Sequence, residues 1–233
     1  MMDINDALAG DQNNNIFRGR GGDDAINGRD GLDTADYRSD ATAAIIVNLD
    51  SIATVTGDAS VGTDTLTGIE RVLGSRFNDT FVASAGFNSG GPAGQSAFNV
   101  FRGGAGDDAI TGNGFTRIEY TGAKDGVRVD LGAGEGRGIN LADASDVGVD
   151  AFAVGSVFEV RGSAFNDILL GSNLNPAALQ ESFIGDAGDD TIDGRLGALD
   201  IASYITSTSG VFASIADDTA NDGFGGMDLL LGI

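Results

Sequence analysis

The chain contains neither cysteine nor histidine among its 233 residues. Without cysteine there is no disulfide framework and no thiol chemistry. That absence leaves the compartment open, because a secreted domain can be held by metal instead. Without histidine the commonest general base and the commonest zinc ligand are missing. The His-Glu-x-x-His motif of zinc proteases is therefore missing too. The opening "MMDINDALAG" has neither the basic stretch nor the apolar stretch of a cleaved secretory signal. No run approaches the roughly 18 apolar residues of a membrane span, so membrane insertion is not expected. Basic residues are scarce, with 13 Lys and Arg against 35 Asp and Glu, for a formal charge of −22. Nucleic acid and anionic membrane surfaces are disfavoured as partners, since their phosphates would be repelled. The same excess repels itself in a compact state unless cations offset it or an extended shape spreads it.

Glycine is abundant, at 38 residues, and most of the acidic residues are Asp. That pairing belongs to turns rather than helices. Hydrophobic residues reach 41%, too many for a disordered acidic tail. Three stretches combine these features: "FRGRGGDDAING", "FRGGAGDDAITG" and "FIGDAGDDTIDG". Phe17, Phe101 and Phe183 open them, 84 and then 82 residues apart. Tyr37, Tyr120 and Tyr204 keep the same step. So do the alternating runs Ile45-Val47-Leu49, Val127-Val129-Leu131 and Val211-Ala213-Ile215. "GTDTLTGIERVLGSRFNDTF" from Gly62 is answered by "GVDAFAVGSVFEVRGSAFNDIL" from Gly148. A third version, "GGMDLLLGI", begins at Gly225 and stops at Ile233. We divide the chain into units 1–100, 101–182 and 183–233, the last cut short, and expect one continuous solenoid.

A shorter period runs inside each unit. From Gly10 the chain reads "GDQNNNIFR", "GRGGDDAIN" and "GRDGLDTAD". Glycine holds the first place, Asp or Asn the sixth and an apolar residue the eighth. "GGAGDDAIT" from Gly103, "GSRFNDTFV" from Gly74 and "GSAFNDILL" from Gly162 fit the same frame. Nine residues allow a strand of about three residues, roughly 10 Å long, and a Gly- and Asp-rich reversal. Two such units make one turn of a flattened right-handed roll with a thin apolar interior. Phe residues at the repeat starts plug that interior. The fold class expected is therefore all-β, a right-handed parallel β-roll or β-helix solenoid.

In such a roll the sixth-position carboxylates stack from one turn to the next and repel unless a cation lies between them. Calcium suits the place, because it accepts 6–8 carboxylate and carbonyl oxygens in flexible geometry. Asp24, Asp108 and Asp190 are the expected ligands. Gly19, Gly22, Gly103, Gly106, Gly185 and Gly188 would bend the chain and present carbonyls, through backbone angles closed to other residues. Asp33, Asp79, Asp167 and Asp200 hold the equivalent place in neighbouring frames. For these four a ligand role and a metal-free Asx-turn both stay open. Asp23, Asp107 and Asp189, at the fifth place, are expected to face solvent. Asp64, Glu70, Glu159 and Asp228 are read as turn caps or solvent-facing groups. "GAGEGRG" at 132–138 lacks the Gly-Lys-Ser/Thr ending of a phosphate loop and reads as a plain turn.

The pattern G-G-x-G-x-D-x-U-x, met in full by "GGAGDDAIT", resembles the RTX or haemolysin-type calcium-binding nonapeptide. "GTDTLTGIERVLGSRFNDTF" looks like the linking segment in the C-terminal halves of serralysin-like proteases and large RTX adhesins. The resemblance covers the chain from about Gly10 onward. It implies a parallel β-roll, calcium-dependent folding, an extracellular location and type I secretion. Arg20 and Asp186 depart from it by replacing the second glycine. "GNGFTRIEY" in the second unit is shortened and lacks the counterpart of Asp33. Segments 38–61 and 121–147 fall outside the nine-residue frame and read as longer β-helical coils. Insertions at 83–95 and 172–182 read as surface loops, with one helical turn at Asn175–Pro176.

No catalytic constellation is read, since every carboxylate pair has a place in a turn. The expected partners are calcium ions and, at the apolar end left by "DLLLGI", a neighbouring copy or a flanking segment. Three uses fit: a stalk or surface-layer segment, the accessory part of a secreted metalloprotease or polysaccharide-acting enzyme, or a polysaccharide-binding face.

Overall fold

The computed structural model describes residues 4–87, 98–140, 144–174, 180–196 and 199–233. Those residues are all β, with no helix among them. The loop expected at 83–95 lies largely outside the described residues, and so does the helical turn expected at Asn175–Pro176. The chain forms two compact units, Met1–Thr116 and Arg117–Ile233.

In the first unit four short strands begin nine residues apart: β1 (Ala7–Ala9), β2 (Ile16–Phe17), β3 (Ala25–Asn27) and β4 (Thr34–Asp36). They alternate between two sheets. β5 (Ile46–Leu49), β6 (Ala53–Thr56) and β7 (Thr63–Thr67) remain in the first sheet. β8 (Arg71–Leu73) and β10 (Asn99–Arg102) join the second, while β9 (Thr80–Ala83) and β11 (Ala109–Thr111) join the first. The first sheet runs β1-β3-β7-β6-β5-β9-β11 and the second β2-β4-β8-β10. The second sheet is parallel throughout this unit.

The second unit repeats the plan. β12 (Thr116–Glu119), β16 (Glu159–Arg161), β18 (Gln180–Ile184) and β20 (Leu199–Ala202) form one parallel sheet in that order. The other runs β15-β14-β13-β17-β19-β23-β22-β21. Its members are β13 (Val127–Asp130), β14 (Glu135–Gly138), β15 (Val149–Phe152) and β17 (Ile168–Leu170). The rest are β19 (Thr191–Asp193), β21 (Phe212–Ser214), β22 (Thr219–Asn221) and β23 (Met227–Leu231).

Segments 38–61 and 121–147 differ from the longer coils expected of them. Each holds an antiparallel hairpin, β5–β6 and β13–β14, and a third hairpin forms at β21–β22. The connections are too short to reach the opposite sheet and can only reverse the chain. The second and third hairpins turn through Gly134 at φ +69 and Asp218 at φ +56. One sheet of each unit is therefore mixed.

Strand alternation sets the core. β3 and β11 each bury only their middle residue, Ile26 and Ile110, which are the eighth-position side chains of the nine-residue frame. Phe81, Phe101 and Phe183 are fully buried, and the rings of Phe81 and Phe101 meet at 5.0 Å between centroids. Phe17 is only half-buried.

In the three Asp-Asp nonapeptides the second place takes a left-handed backbone. Gly104 meets this at φ +109, but Arg20 and Asp186 hold the place at φ +72 and +69. An L side chain loses about 1 kcal/mol there. Asp186 is compensated by its ion pair with Arg161, 2.7 Å away, whereas Arg20 is exposed. Replacing Arg20 with Gly should stabilise the fold by roughly 0.5–1 kcal/mol, the backbone relief exceeding the added freedom of the unfolded chain. Urea unfolding of the variant against the parent checks this.

Candidate functional site

The acidic turns are tied by one repeated hydrogen bond. At each step a carboxylate Oδ1 accepts from the backbone N–H of the residue in the same place on the neighbouring strand. In the first unit Asp6 N donates to Asp24 at 2.7 Å and Asp24 N to Asp64 at 3.0 Å. Further along, Ile45 N donates to Asp79 and Asp79 N to Asp108, both at 2.8 Å. The second unit carries a run of three such bonds. Val127 N donates to Asp167, Asp167 N to Asp190 and Asp190 N to Asp228, at 2.8, 2.8 and 3.1 Å. Parallel pairing without slippage brings these residues together, because the residue after one Asp lies opposite the residue after the next.

The structure thus groups Asp24, Asp79 and Asp108 along the mixed sheet of the first unit, and Asp167 and Asp190 along the mixed sheet of the second. Asp33 and Asp200 belong instead to the parallel sheets of the two units. There Asn15 N donates to Asp33 and Asp33 N to Glu70 Oε2, at 2.7 and 2.9 Å. Asp200 pairs in register with Glu181.

The second carboxylate oxygens separate the candidates. In Asp24, Asp33 and Asp190 the buried Oδ2 has no hydrogen-bond partner, and in Asp200 the same holds for Oδ1. Asp79 and Asp167 differ. Their Oδ2 atoms accept from the backbone of Ser75 and Ser163, at 2.6 and 2.5 Å, and their Oδ1 atoms accept the two hydroxyls at 2.7 Å. Serine in the second place of "GSRFND" and "GSAFND" therefore satisfies those two carboxylates from within the protein. The other carboxylates have room for a further donor or cation.

Glycine at the first place serves proximity rather than backbone angle. A Cβ on Gly19, Gly103 or Gly185 would lie 1.9, 1.8 or 2.0 Å from Oδ2 of Asp24, Asp108 or Asp190. None of the three has a left-handed backbone, which corrects the expected reason for them. The fourth-place glycines do need it: Gly22, Gly106 and Gly188 have φ of +125, +108 and +136. They also pack on the backbone of Ile4, Phe77 and Phe165, where a Cβ would collide. Carbonyls enter the same cradles. The missing Cβ of Gly28 would meet both Asp33 Oδ2 and the Gly68 carbonyl, and that of Gly194 both Asp200 Oδ2 and the Gly232 carbonyl. Each of these two cradles offers a carboxylate oxygen beside a backbone carbonyl, a donor set for a hard cation. Among the described residues no three carboxylates gather at one point. A cation here would be held largely by carbonyls and water.

The paired aspartates divide as expected in burial. Asp24, Asp108 and Asp190 are 1–2% exposed, while Asp23, Asp107 and Asp189 are exposed. Yet the outer members are not idle. Asp23 Oδ1 accepts from Thr63 N and Asp189 Oδ1 from Met227 N, both at 2.8 Å. Their own N–H groups, with that of Asp107, donate to Asn5, Asn166 and Asn78. A second, outer ladder runs beside the buried one, and the Asn of "FND" belongs to it.

Of the two readings of Asp64 and Asp228, turn caps or solvent-facing groups, the second is excluded, since they are 0% and 2% exposed. Each ends a buried run, and a tyrosine closes it. Tyr37 donates its hydroxyl to Asp64 Oδ2 at 2.8 Å and Tyr204 to Asp228 Oδ2 at 2.9 Å; Tyr120 treats Asp150 likewise at 2.9 Å. Glu70 and Glu159 are also buried. The recurring tyrosines were visible in the sequence, but their partners lie 24 to 30 residues away and share no local pattern with them.

Arginines neutralise other carboxylates. Burial opposes ionisation of Asp36, yet the guanidiniums of Arg38 and Arg18 hold its carboxyl well below the usual range. Arg195 and Arg128 do the same for Asp130. Among the described residues, the buried carboxylates of the mixed sheets lack such help at Asp64, Asp167 and Asp190. Burial pushes Asp64 and Asp167 up to about 6 and Asp190 up to about 8, the carboxylates of Asp167, Asp228 and Asp222 adding to the last. Asp33, Asp79, Asp200 and Asp228 are raised for the same first cause.

Two outcomes follow from this geometry. Gly185→Ala should strongly destabilise the fold, by roughly 2–4 kcal/mol, since its Cβ overlaps a buried carboxylate. Gly210→Ala, where a Cβ meets nothing within 4 Å, should change stability by less than about 0.5 kcal/mol. Thermal unfolding of the pair checks the contrast. The raised carboxyls fix the sign of the pH dependence. A group whose folded pKa exceeds its unfolded value adds stability that is complete below the unfolded pKa and is lost as pH rises through the folded one. In chelator, then, β structure should be gained as pH falls from about 8, through Asp190 first and through Asp64 and Asp167 near 6. Circular dichroism across that range reads it, and a loss of β signal on acidification to pH 5 contradicts it. No protein-family model matches the chain and no curated protein matches it, so the functional reading rests on the residues themselves.

Proposed function

We propose that the chain is a calcium-binding structural module of an extracellular protein. In this reading the fold is a right-handed parallel β-roll of the RTX kind, exported by type I secretion, and it closes when calcium binds. The observation that carries it is the set of buried carboxylate oxygens without partners, on Asp24, Asp33 and Asp190, each packed against a glycine where a Cβ would collide with it. Burying ionised carboxylates without compensation is costly enough that the group either protonates or finds a cation. Calcium, when bound, supplies the positive charge and the oxygen affinity that the arginines do not provide here.

The residues assigned to ions are Asp24, Asp33, Asp108, Asp190 and Asp200, with neighbouring backbone carbonyls. Asp79 and Asp167 are not among them, because Ser75 and Ser163 each already donate two hydrogen bonds to these carboxylates. The chain's own contribution is to align the carboxylates, keep water from them and order the turns once their repulsion is relieved. A non-enzymatic role follows from the same accounting, since the buried acids serve turns rather than a cleft.

Circular dichroism at pH 7.5 in chelator and in millimolar calcium tests the proposal, with β signal expected to rise on calcium addition. Identical β spectra in both would falsify it. Asp190→Asn isolates the charge, because the amide oxygen can still accept the Asp167 N–H bond. Calcium affinity should fall on the order of tenfold or more. Asp189→Asn, on the outer ladder, should leave it within about twofold. Titration calorimetry separates the two, and equal losses would move the site outward.

A further inference from the structure

β1 is an edge strand of the first unit's mixed sheet and β21 an edge strand of the second unit's, each paired on one side only among the described residues. Inside the chain, the strand equivalent to β21 is always covered. β5 is covered by β9, with Val47 opposite Phe81, and β13 is covered by β17, with Val129 opposite Leu169. As a result Ile45, Val47, Leu49, Val127 and Val129 are fully buried. Their counterparts on the third hairpin are not. Val211 is 39% exposed and Ile215 56% exposed, and Ala213 is exposed too.

The covering strands share one sequence. β9 belongs to "FNDTFVA" and β17 to "FNDILLG". β1 belongs to "INDALAG". The structural match is equally close. Asp6 N donates to Asp24 Oδ1 just as Asp79 N donates to Asp108 and Asp167 N to Asp190. β1 pairs with β3, Leu8 opposite Ile26, as β9 pairs with β11, Phe81 opposite Ile110. What β1 lacks is the strand that β9 and β17 have on their other side. Asp79 and Asp167 are 1% exposed and each accepts from a backbone N–H of that strand, Ile45 or Val127. Asp6 is exposed.

We infer that β1 of a second copy of this chain docks in parallel on β21, reproducing the junction built twice within the chain. Ala213 would then lie opposite Leu8 of the second copy, and Val211 N would donate to the Asp6 carboxylate. The backbone is set for it. Ala25 N bonds the Asp6 carbonyl and Gly10 N the Asn27 carbonyl. Alternation along a parallel pair then turns the polar groups of Ala7 and Ala9 to the open edge. Thr80 N, the counterpart of Ala7 N, donates to the Ile45 carbonyl at 2.9 Å. Between the parallel sheets, β20 and β2 of the second copy would keep a one-strand slot, of the kind β8 fills between β4 and β10 and β16 between β12 and β18, so the contact rests on the mixed sheets. Because the two surfaces differ, the interface is heterologous, and repetition yields fibres or rings rather than a closed pair. The contact chemistry is independent of calcium. Association is therefore measured in whichever buffer gives the folded β spectrum, which separates its failure from failure of the calcium reading.

Sedimentation velocity over a concentration series should show growing head-to-tail oligomers. Ala7→Pro removes the outward N–H and spares the bonds to β3. Ala213→Asp places a charge in the layer that Val47 and Val129 keep dry. Each alone should weaken association roughly thirtyfold or more, with an unchanged β spectrum. Mixed one to one, the two variants should give a dimer and stop there, because each retains the end the other has lost. Ala213→Val, restoring the residue found at 47 and 129, should tighten association severalfold. A folded parent that stays monomeric at every concentration overturns the inference and assigns the edge to another segment or partner. Oligomers that neither variant weakens, or a mixture that forms no dimer, overturn it as well.

Discussion

The rest of the structure depends on a bond between a backbone N–H and the carboxylate of the next strand over. It sets the register, since Asp24, Asp108 and Asp190 can each receive that bond only where the strands align without slippage. It also satisfies turn N–H groups that a strand of three residues cannot satisfy by itself. A hydrogen bond to a charged acceptor contributes about 1.5–3 kcal/mol. Repeated along two sheets, it offsets a core only one apolar layer thick.

The same bond creates the molecule's main liability. To reach a neighbouring backbone the carboxylate must leave water, and burial raises the pKa of Asp64, Asp167 and Asp190. Nature of the relief varies along the chain. Tyrosine hydroxyls relieve Asp64, Asp150 and Asp228; serines relieve Asp79 and Asp167. Where neither is at hand, as at Asp24, Asp33 and Asp190, one oxygen is left facing a glycine cradle. The distinction between internally satisfied and open carboxylates is a distinction of second-place and distant residues, not of the Asp itself.

Much of the fold was legible because its repeat is short. The nine-residue frame named the inward residues Ile26, Ile110, Phe81 and Leu169, all buried, and separated Asp108 from Asp107 by parity alone. The hairpins were not legible in that way. Ile45-Val47-Leu49 alternates as any strand does, and alternation says which face is buried without saying whether the next strand returns beside it or crosses over. Likewise the glycine of the first place announces a need for no side chain. Whether a backbone angle or a neighbouring oxygen imposes that need is a question of distance.

The sequence by itself determined an all-β chain with buried acidic turns and the positions of the Asp residues, because the nine-residue spacing maps directly onto strand and turn. Only the tertiary structure decided which of those acids are already satisfied. Tyr204 and Asp228, or Ser163 and the two oxygens of Asp167, come together through pairing across strands, and a donor's reach depends on position in space rather than on separation along the chain.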